Sequence, residues 1–512
     1  MNERTSRHHK PSPARTAVVV GGGISALVAA RDLAAAGFRV TVLEASASFG
    51  GCVGVHEVAG LRLDSGAESF ATRSTAVADL ATELGLAEKI VSPNPAGAWV
   101  RLPSGPVPLP KTGVLGIPAD PWAPEVRAAL GLAGSLRASL DARLPARVGT
   151  TAEVSSVAEL VRARMGQKVL DTLVAPVVGG VHSADPELLD VDMVAPGLRA
   201  GIREHGSLAA AVAAQRAAAP AGSAVGSLAG GMNVLVAALT GDLRKAGVEL
   251  HAGRAVTGIS RTAGGAPDGG ASGEAPDGTS GNATGGTPGH GGGAARWTVA
   301  AGDWTAPADL LVVATDGPAA VGLLAPAVPA LAAFAPAPGP DVRLVTLVVD
   351  LPELDTAPRG TGILVAPQTP GIRAKALTHA TAKWHWLADE AGPGTHVLRL
   401  SYGRAAADAV RAAEAEPTDA ALLEAALADA TELLGQKISA EDVLGADVVR
   451  WRGALPFAAV GHRARITELR TLAAKEPGLL LLGGWLAGNG LAAVVADARA
   501  RVKAATATGT GM

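Results

Sequence analysis

The chain has little cysteine and few aromatic side chains: one cysteine, Cys52, one tyrosine, Tyr402, and five phenylalanines among 512 residues. A single thiol excludes an internal disulfide framework and a multi-cysteine metal site, and it suits a reducing cytosol. Cys52 reads as a small buried thiol filling a gap. Charge of one sign is also lacking. Lys and Arg number 44 against 47 Asp and Glu, a formal net charge of −3, so no basic field points to nucleic acid. The longest apolar run, residues 478–495, approaches the length of a membrane span, but Gly483, Gly484, Gly488, Asn489 and Gly490 break it into a leucine strand, a turn and a helix start. Residues 1–15 are basic and polar and read as a disordered arm, since the apolar stretch 17–20 is too short for a signal-peptide core. A mean hydropathy of +0.27 leaves peripheral membrane contact open beside a cytoplasmic location.

What is plentiful is glycine, 65 residues of it, and its placement carries the first chemical signal. Ala17-Val18-Val19-Val20 is an apolar, β-branched strand, Gly21-Gly22-Gly23-Ile24-Ser25-Ala26 follows at once, and an alanine-rich helix continues to residue 36. This is the pattern of a dinucleotide seat. Gly21 allows the tight turn, Gly23 lets the backbone approach a pyrophosphate, and small Ala26 lets helix pack on strand, while the helix N-terminus aims unpaired N–H groups at phosphate. A second strand, residues 39–43, ends at Glu44 and Ala45, about 20 residues beyond the glycines, where a carboxylate accepts ribose hydroxyls and disfavours a 2′-phosphate.

A glycine fingerprint alone is weak evidence in so glycine-rich a chain, and a turn without a ligand is its plain competitor. Two further motifs narrow the reading. Gly50-Gly51 follows Glu44, and Asp64-Ser65-Gly66-Ala67-Glu68-Ser69-Phe70 follows a short strand. In that order these elements resemble the amine-oxidase-like flavoprotein superfamily, in which the added segments approach FAD. The resemblance therefore implies FAD, and the first fingerprint alone does not.

A chain of this length holds two or three domains. The expected fold class is α/β: a discontinuous Rossmann-like FAD-binding domain (16–92, 224–322 and 450–505), an antiparallel-sheet substrate domain (93–104, 206–223 and 323–449) and a mainly helical subdomain (105–205). The helical part follows from apolar residues at helical spacing between 124 and 178, the antiparallel sheet from period-two patterns such as Val342, Leu344, Thr346 and Val348. Residues 310–316 read as a strand returning to the cofactor sheet. Residues 263–295, almost wholly Gly, Ala, Pro, Ser, Thr, Asn and Asp, cannot bury enough apolar surface to offset their ordering entropy and read as a disordered hairpin insertion.

Four later segments resemble the oxygen-dependent protoporphyrinogen/coproporphyrinogen oxidase family. Gly180-Val181-His182-Ser183-Ala184-Asp185-Pro186 is similar to that family's Gly-Val-Tyr-Ala-Gly-Asp-Pro, and Ala382-Lys383-Trp384 to its Ser-Lys-Trp. Arg450-Trp451-Arg452-Gly453-Ala454-Leu455-Pro456 and Gly483-Gly484-Trp485-Leu486-Ala487-Gly488-Asn489-Gly490-Leu491 follow in family order. The family's Tyr is replaced by His182, Phe457 stands where Gln-Tyr is common, and Gly490-Leu491 replaces Gly-Val-Gly-Ile. The resemblance implies that Val256 meets the adenine side of FAD and Trp451 lies near the flavin. The helix that opens at Gly490, Leu491 and Ala492 would stabilise negative charge on the reduced ring.

The implied reaction is oxidation of a porphyrinogen, coproporphyrinogen III or protoporphyrinogen IX, in haem biosynthesis. Dioxygen is the acceptor, because no second nucleotide fingerprint follows a strand. The cofactor supplies the hard chemistry, so no metal and no catalytic acid or base is assigned. Arg73, Arg343 and Lys383 are candidate cations for substrate propionates, each with a solvated surface charge as the plain alternative. His182 reads as a structural histidine, and Trp384 and Trp386 either wall a flat macrocycle or pack in a core. Rival readings are an amine oxidase or carotenoid-type desaturase, disfavoured by the lone tyrosine, and a non-catalytic escort protein, disfavoured by the intact fingerprint.

Overall fold

The computed structural model describes residues 14–111, 113–151, 154, 156–218, 223–262, 296–403, 416–453 and 459–507. The insertion expected at 263–295, residues 1–13 of the expected arm, and Ala454, Leu455, Pro456 and Phe457 lie outside the described residues.

Val18, Val19 and Val20 are buried on both faces of their strand, which demands cover above and below. Thr16–Val20 is accordingly the centre of a five-stranded parallel sheet in the order Glu249–His251, Arg39–Leu43, Thr16–Val20, Leu310–Val313, Leu479–Leu481. Ala17 and Val19 face a layer of helices, Ile24–Ala35, Asn233–Lys245 and Leu491–Ala507. Val18 and Val20 face an antiparallel meander, Gly258–Arg261, Trp297–Ala301 and Trp304–Ala308, with helices Gly317–Leu324 and His462–Ala473 beside it. The first and last helices of the chain share one core: Leu27, Ala30 and Leu33 pack with Val495, Ala498 and Val502.

The second sheet has seven strands, in the order Val443–Trp451, Val342–Asp350, Thr395–Tyr402, Ala376–His379, Gly362–Val365, Trp99–Leu102, Gly105–Pro108. It is antiparallel except where Ile363 lies opposite Trp99 in a parallel pair. Helix Asp419–Leu434 covers it, and Tyr402 Oη donates to the buried Asp429 carboxylate at 3.2 Å. The helical part, from Pro124–Ser139 to Leu208–Ala217, has its own core of Val126, Leu160, Leu173, Leu198 and Leu208.

Several expected boundaries move, each for a packing reason. Residues 206–217 join the helical core through Leu208, Ala211 and Val212 and do not join the substrate sheet. Gly105–Pro108 pairs with Trp99–Leu102, so that hairpin belongs to the seven-stranded sheet. Leu324, Val328 and Leu331 pack under the parallel sheet, carrying the cofactor half past 323. Trp384 is buried among Val58, Leu61 and Leu63, which makes it core. Cys52 is exposed, contrary to its expected burial. No helix among the described residues is long and apolar enough to cross a membrane.

Candidate cofactor site

The strand Thr16–Val20 delivers the chain to a turn whose first two glycines tolerate no side chain. Gly21 has φ +105°, and a Cβ there would lie 2.9 Å from the Ala314 carbonyl oxygen; at Gly22 it would lie 2.6 Å from the Phe49 ring. Glu44, at the end of the neighbouring strand, accepts the Gly22 N–H at 2.6 Å through one carboxylate oxygen, and the Ser46 N–H at 2.7 Å and the Ser46 hydroxyl at 2.6 Å through the other. The expected pairing of glycine turn and acid is therefore present in three dimensions. Helix Ile24–Ala35 begins after an extended Gly23 with no side-chain cap and no acid in its first turn. Its first N–H groups are thus open to an anion, whose charge the helix dipole favours.

Gly50 N–H donates to the Gly22 carbonyl at 2.8 Å, bringing Gly51 against Gly23. On the far side of this pair, Ala67 N–H donates to the Cys52 carbonyl at 2.8 Å. Gly66 has no room for a Cβ, which would meet that carbonyl oxygen at 2.0 Å and the Trp451 ring at 3.2 Å. Trp451, the last residue of Val443–Trp451, donates its indole N–H to the Ser65 carbonyl at 2.8 Å. Val256 lies beyond Arg254, whose N–H donates to the Glu44 carbonyl at 2.7 Å, so it sits on the glutamate side. Leu491 and Ala492 are buried at the head of the last helix, with Gly490 exposed before them.

Glu68 is the best-held acid of the site. Lys383 Nζ lies 2.6 Å from one of its oxygens and Arg399 Nη2 3.1 Å from the other, and Ser227 donates its hydroxyl to the Glu68 carbonyl at 2.7 Å. Burial pushes the Glu68 carboxyl up, but Arg399 and then Lys383 outweigh it and hold it at about 2. Asp64 accepts the N–H groups of Met232 at 3.0 Å and Asn233 at 3.1 Å, capping helix Asn233–Lys245. Burial raises its pKa against those bonds.

The three expected propionate cations are not brought together by this network. Lys383 is engaged by Glu68, Arg343 faces Glu416 at 3.5 Å in company with Arg450, and Arg73 is exposed. Arg399 and Ser227 are not singled out in the sequence, and Asp64 is quoted there only as part of its motif, without its role as a helix cap. Arg399 leaves one usable trace: a charge between Leu398 and Leu400 in the middle of the strand Thr395–Tyr402. Among the described residues no group of three or more His, Cys, Asp or Glu is placed to hold a metal ion.

A parallel sheet whose first glycine turn meets an acid, backed by a second, mostly antiparallel sheet, is the architecture of a dinucleotide-binding protein of the two-domain flavoprotein class. The comparisons make this specific. Residues 24–501 match the family model described as flavin containing amine oxidoreductase, and the chain belongs to that family, with FAD as cofactor. It is 28% identical to a coproporphyrinogen III oxidase of Propionibacterium freudenreichii subsp. freudenreichii, over 94% of this chain and 89% of that one. It is 26% identical to the coproporphyrinogen III oxidase of Bacillus subtilis (strain 168), over 95% and 96% respectively. Among solved structures, one from Exiguobacterium sp. 255-15, provisionally assigned as a protoporphyrinogen oxidase, superposes with a TM-score of 0.77 at 24% identity, over 97% of this chain and all of that one. Cyclohexylamine oxidase from Brevibacterium oxydans IH-35A shares the fold with a TM-score of 0.64 at 17% identity.

Proposed function

We propose that this chain is an FAD-dependent oxidase that converts coproporphyrinogen III to the porphyrin with dioxygen as acceptor, a step of haem biosynthesis in the cytoplasm. The reading rests chiefly on relatives of that name that span nearly the whole chain. The cradle supports it, because Gly23 and Gly51 face each other with no side chain between them, while Gly21, Gly22 and Gly66 let the neighbouring segments pack closely around the turn. Gly21, Gly22, Gly23, Ile24, Ser25 and Ala26 would take the pyrophosphate, Glu44 and Ala45 the ribose and Val256 the adenine side. Gly51, Gly66, Ala67, Glu68, Ser69 and Trp451 would line the flavin, with Gly490, Leu491 and Ala492 at the head of the last helix.

Bound FAD supplies two-electron hydride acceptance, so removing six electrons from the macrocycle takes three rounds and reduces three dioxygen molecules to hydrogen peroxide. The protein's part is to hold and orient. Of the three candidate cations, Arg343 and Lys383 are engaged by acids, which leaves exposed Arg73 for a substrate carboxylate. The amine-oxidase reading is weakened by Tyr402, which is buried against Asp429 in the sheet core.

The test gives the FAD-loaded protein coproporphyrinogen III, protoporphyrinogen IX and benzylamine in parallel, reading porphyrin fluorescence and peroxide. Fastest turnover of coproporphyrinogen III is expected. Peroxide from benzylamine alone would overturn the assignment.

A peripheral membrane contact has support in one place. Leu132, Leu136 and Leu140 form an exposed ridge at four-residue spacing, and exposed Arg127, Arg143 and Arg147 lie in the same stretch, where Asp141 is buried and Glu125 stands at the start of the helix. Such a surface suits an anionic lipid headgroup layer. Co-flotation with anionic but not neutral vesicles, reduced by Leu136→Ser, is the expected result.

A further inference from the structure

Lys383 and Arg399 belong to the seven-stranded-sheet half of the molecule, yet both close on the segment 64–68 of the other half. Arg399 lies in Thr395–Tyr402, and besides its ion pair with Glu68 it donates to the Gly66 carbonyl at 2.8 Å and the Asp64 carbonyl at 3.2 Å. Lys383 ends the short helix Ala380–Lys383, which Asn94 grips from outside: its N–H donates to the Lys383 carbonyl and its side-chain amide to the Ala382 carbonyl, both at 2.8 Å. The ammonium also lies 5.0 Å from the Trp384 ring, itself fixed in the core. Lys383, Arg399 and Glu68 are each only 14% to 17% exposed, so their attraction is poorly screened. The segment they grip is tied on its other side as well, by the Ala67 N–H on the Cys52 carbonyl and the Trp451 indole on the Ser65 carbonyl, both at 2.8 Å.

We propose that Lys383 and Arg399 are positioning residues for the flavin: clamping Glu68 and the Gly66 carbonyl, they fix the cradle segment 64–68 and lock it to the sheet proposed to carry the substrate. The inference deepens the cofactor reading and rests on it. A structural pair could be replaced at a cost in stability alone, whereas a positioning pair sets the environment of the bound ring. Loss of Lys383 leaves Glu68 to Arg399 alone, and loss of the Glu68 charge leaves two cations side by side; a lost charged hydrogen bond corresponds to about tenfold or more in an equilibrium.

The experiment compares full-length parent, Lys383→Met, Lys383→Arg and Glu68→Gln for FAD dissociation constant, flavin absorbance, flavin midpoint potential and apoprotein melting temperature. Lys383→Met and Glu68→Gln are expected to weaken FAD binding about tenfold and to shift the flavin band and potential, with Lys383→Arg restoring most of the loss. A parent that binds FAD, with both variants matching it in affinity, spectrum and potential, overturns the latch and leaves the cofactor site standing. The latch is likewise overturned if both variants lose only melting temperature. A parent that takes up no FAD overturns the cofactor reading and the latch together.

Discussion

The helical subdomain and the junction between the two sheets each hold a carboxylate clamped by cations, and the clamps differ in what they connect. In the helical part, Arg164 pairs with Asp141 with both side chains essentially out of water. Its remaining donors go to the carbonyls of Asp141 at 3.0 Å, Val148 at 2.9 Å and Gly206 at 3.2 Å, while Asp141 also accepts the Ala209 N–H at 2.8 Å. Every partner belongs to the same helical subdomain. At the junction, Glu68, Lys383 and Arg399 are less deeply buried but come from opposite halves of the molecule. Depth of burial thus marks the charge the fold can least do without, and the span of the contact marks the charge proposed to bear on the cofactor.

The largest effect should come from opening the deeper clamp. Removing one partner of a buried pair strands the other, which costs about 3–5 kcal/mol. Arg164→Met is therefore expected to lower the denaturation midpoint steeply, while molecules that remain folded bind FAD as the parent does. Equilibrium unfolding combined with flavin content per folded molecule checks this. A fall in FAD affinity without a fall in stability would erase the distinction between the two clamps.

An uncharged counterpart sits at the other end of the short helix that carries Lys383. His379 is fully buried and its Nε2 lies 3.0 Å from Nδ1 of His396, with Thr381 at 3.4 Å from that nitrogen and Asp355 at 3.2 Å on its far side. Asp350 also bears on His396. Burial, and then the neighbouring imidazole, push His379 down to about 3. The unfolded chain takes up this proton below about 6.5 and the folded chain only near 3, so stability is complete above 6.5 and falls as the pH drops through that window. Glu68 acts lower, its contribution being present above about 4.5 and lost towards 2. Between pH 6.5 and 5 the histidine should therefore act without Glu68, costing about 2 kcal/mol. His379→Gln should flatten the profile there and leave the lower limb in place. An unchanged slope would show that other groups set it.

What is legible in the sequence follows the same division between local and distant contacts. The glycine turn, Glu44 and the parallel strands can be read because their signals lie within about 25 residues, and because a strand covered on both faces is apolar at every position, as Val18, Val19 and Val20 are. Lys383 stands out in the sequence, but as a cation for substrate, since nothing in its neighbourhood announces a glutamate 315 positions earlier. Arg343 misleads in the same way, for Glu416 reaches it across 73 positions. Periodicity says that Leu208, Ala211 and Val212 share a helix face; it does not say which core receives that face, and the helical one does. Cys52 is expected inside because thiols usually are, yet it borders the open cradle.

The smallest effect tests whether burial really separates the clamps. Glu83 is also gripped by two arginines, Arg499 at 2.6 and 2.7 Å and Arg31 at 2.6 Å, and Arg31 reaches on to Asp242 at 2.8 Å. The hydrogen bond from Arg499 chiefly, opposed by burial and aided by Arg31, holds its carboxyl at about 2. By pKa alone it resembles Glu68. Its side chain, however, is 41% exposed, so water and salt screen the attraction that the Glu68 cluster keeps. Glu83→Gln should therefore cost only about 0.3–1 kcal/mol, mostly erased in about 1 M salt, although the network ties the first helix of the chain to the last. Unfolding midpoints at low and high salt decide the matter: a salt-insensitive loss as large as that of Arg164→Met would mean that connectivity between elements, and not exclusion of water, sets the strength of these pairs.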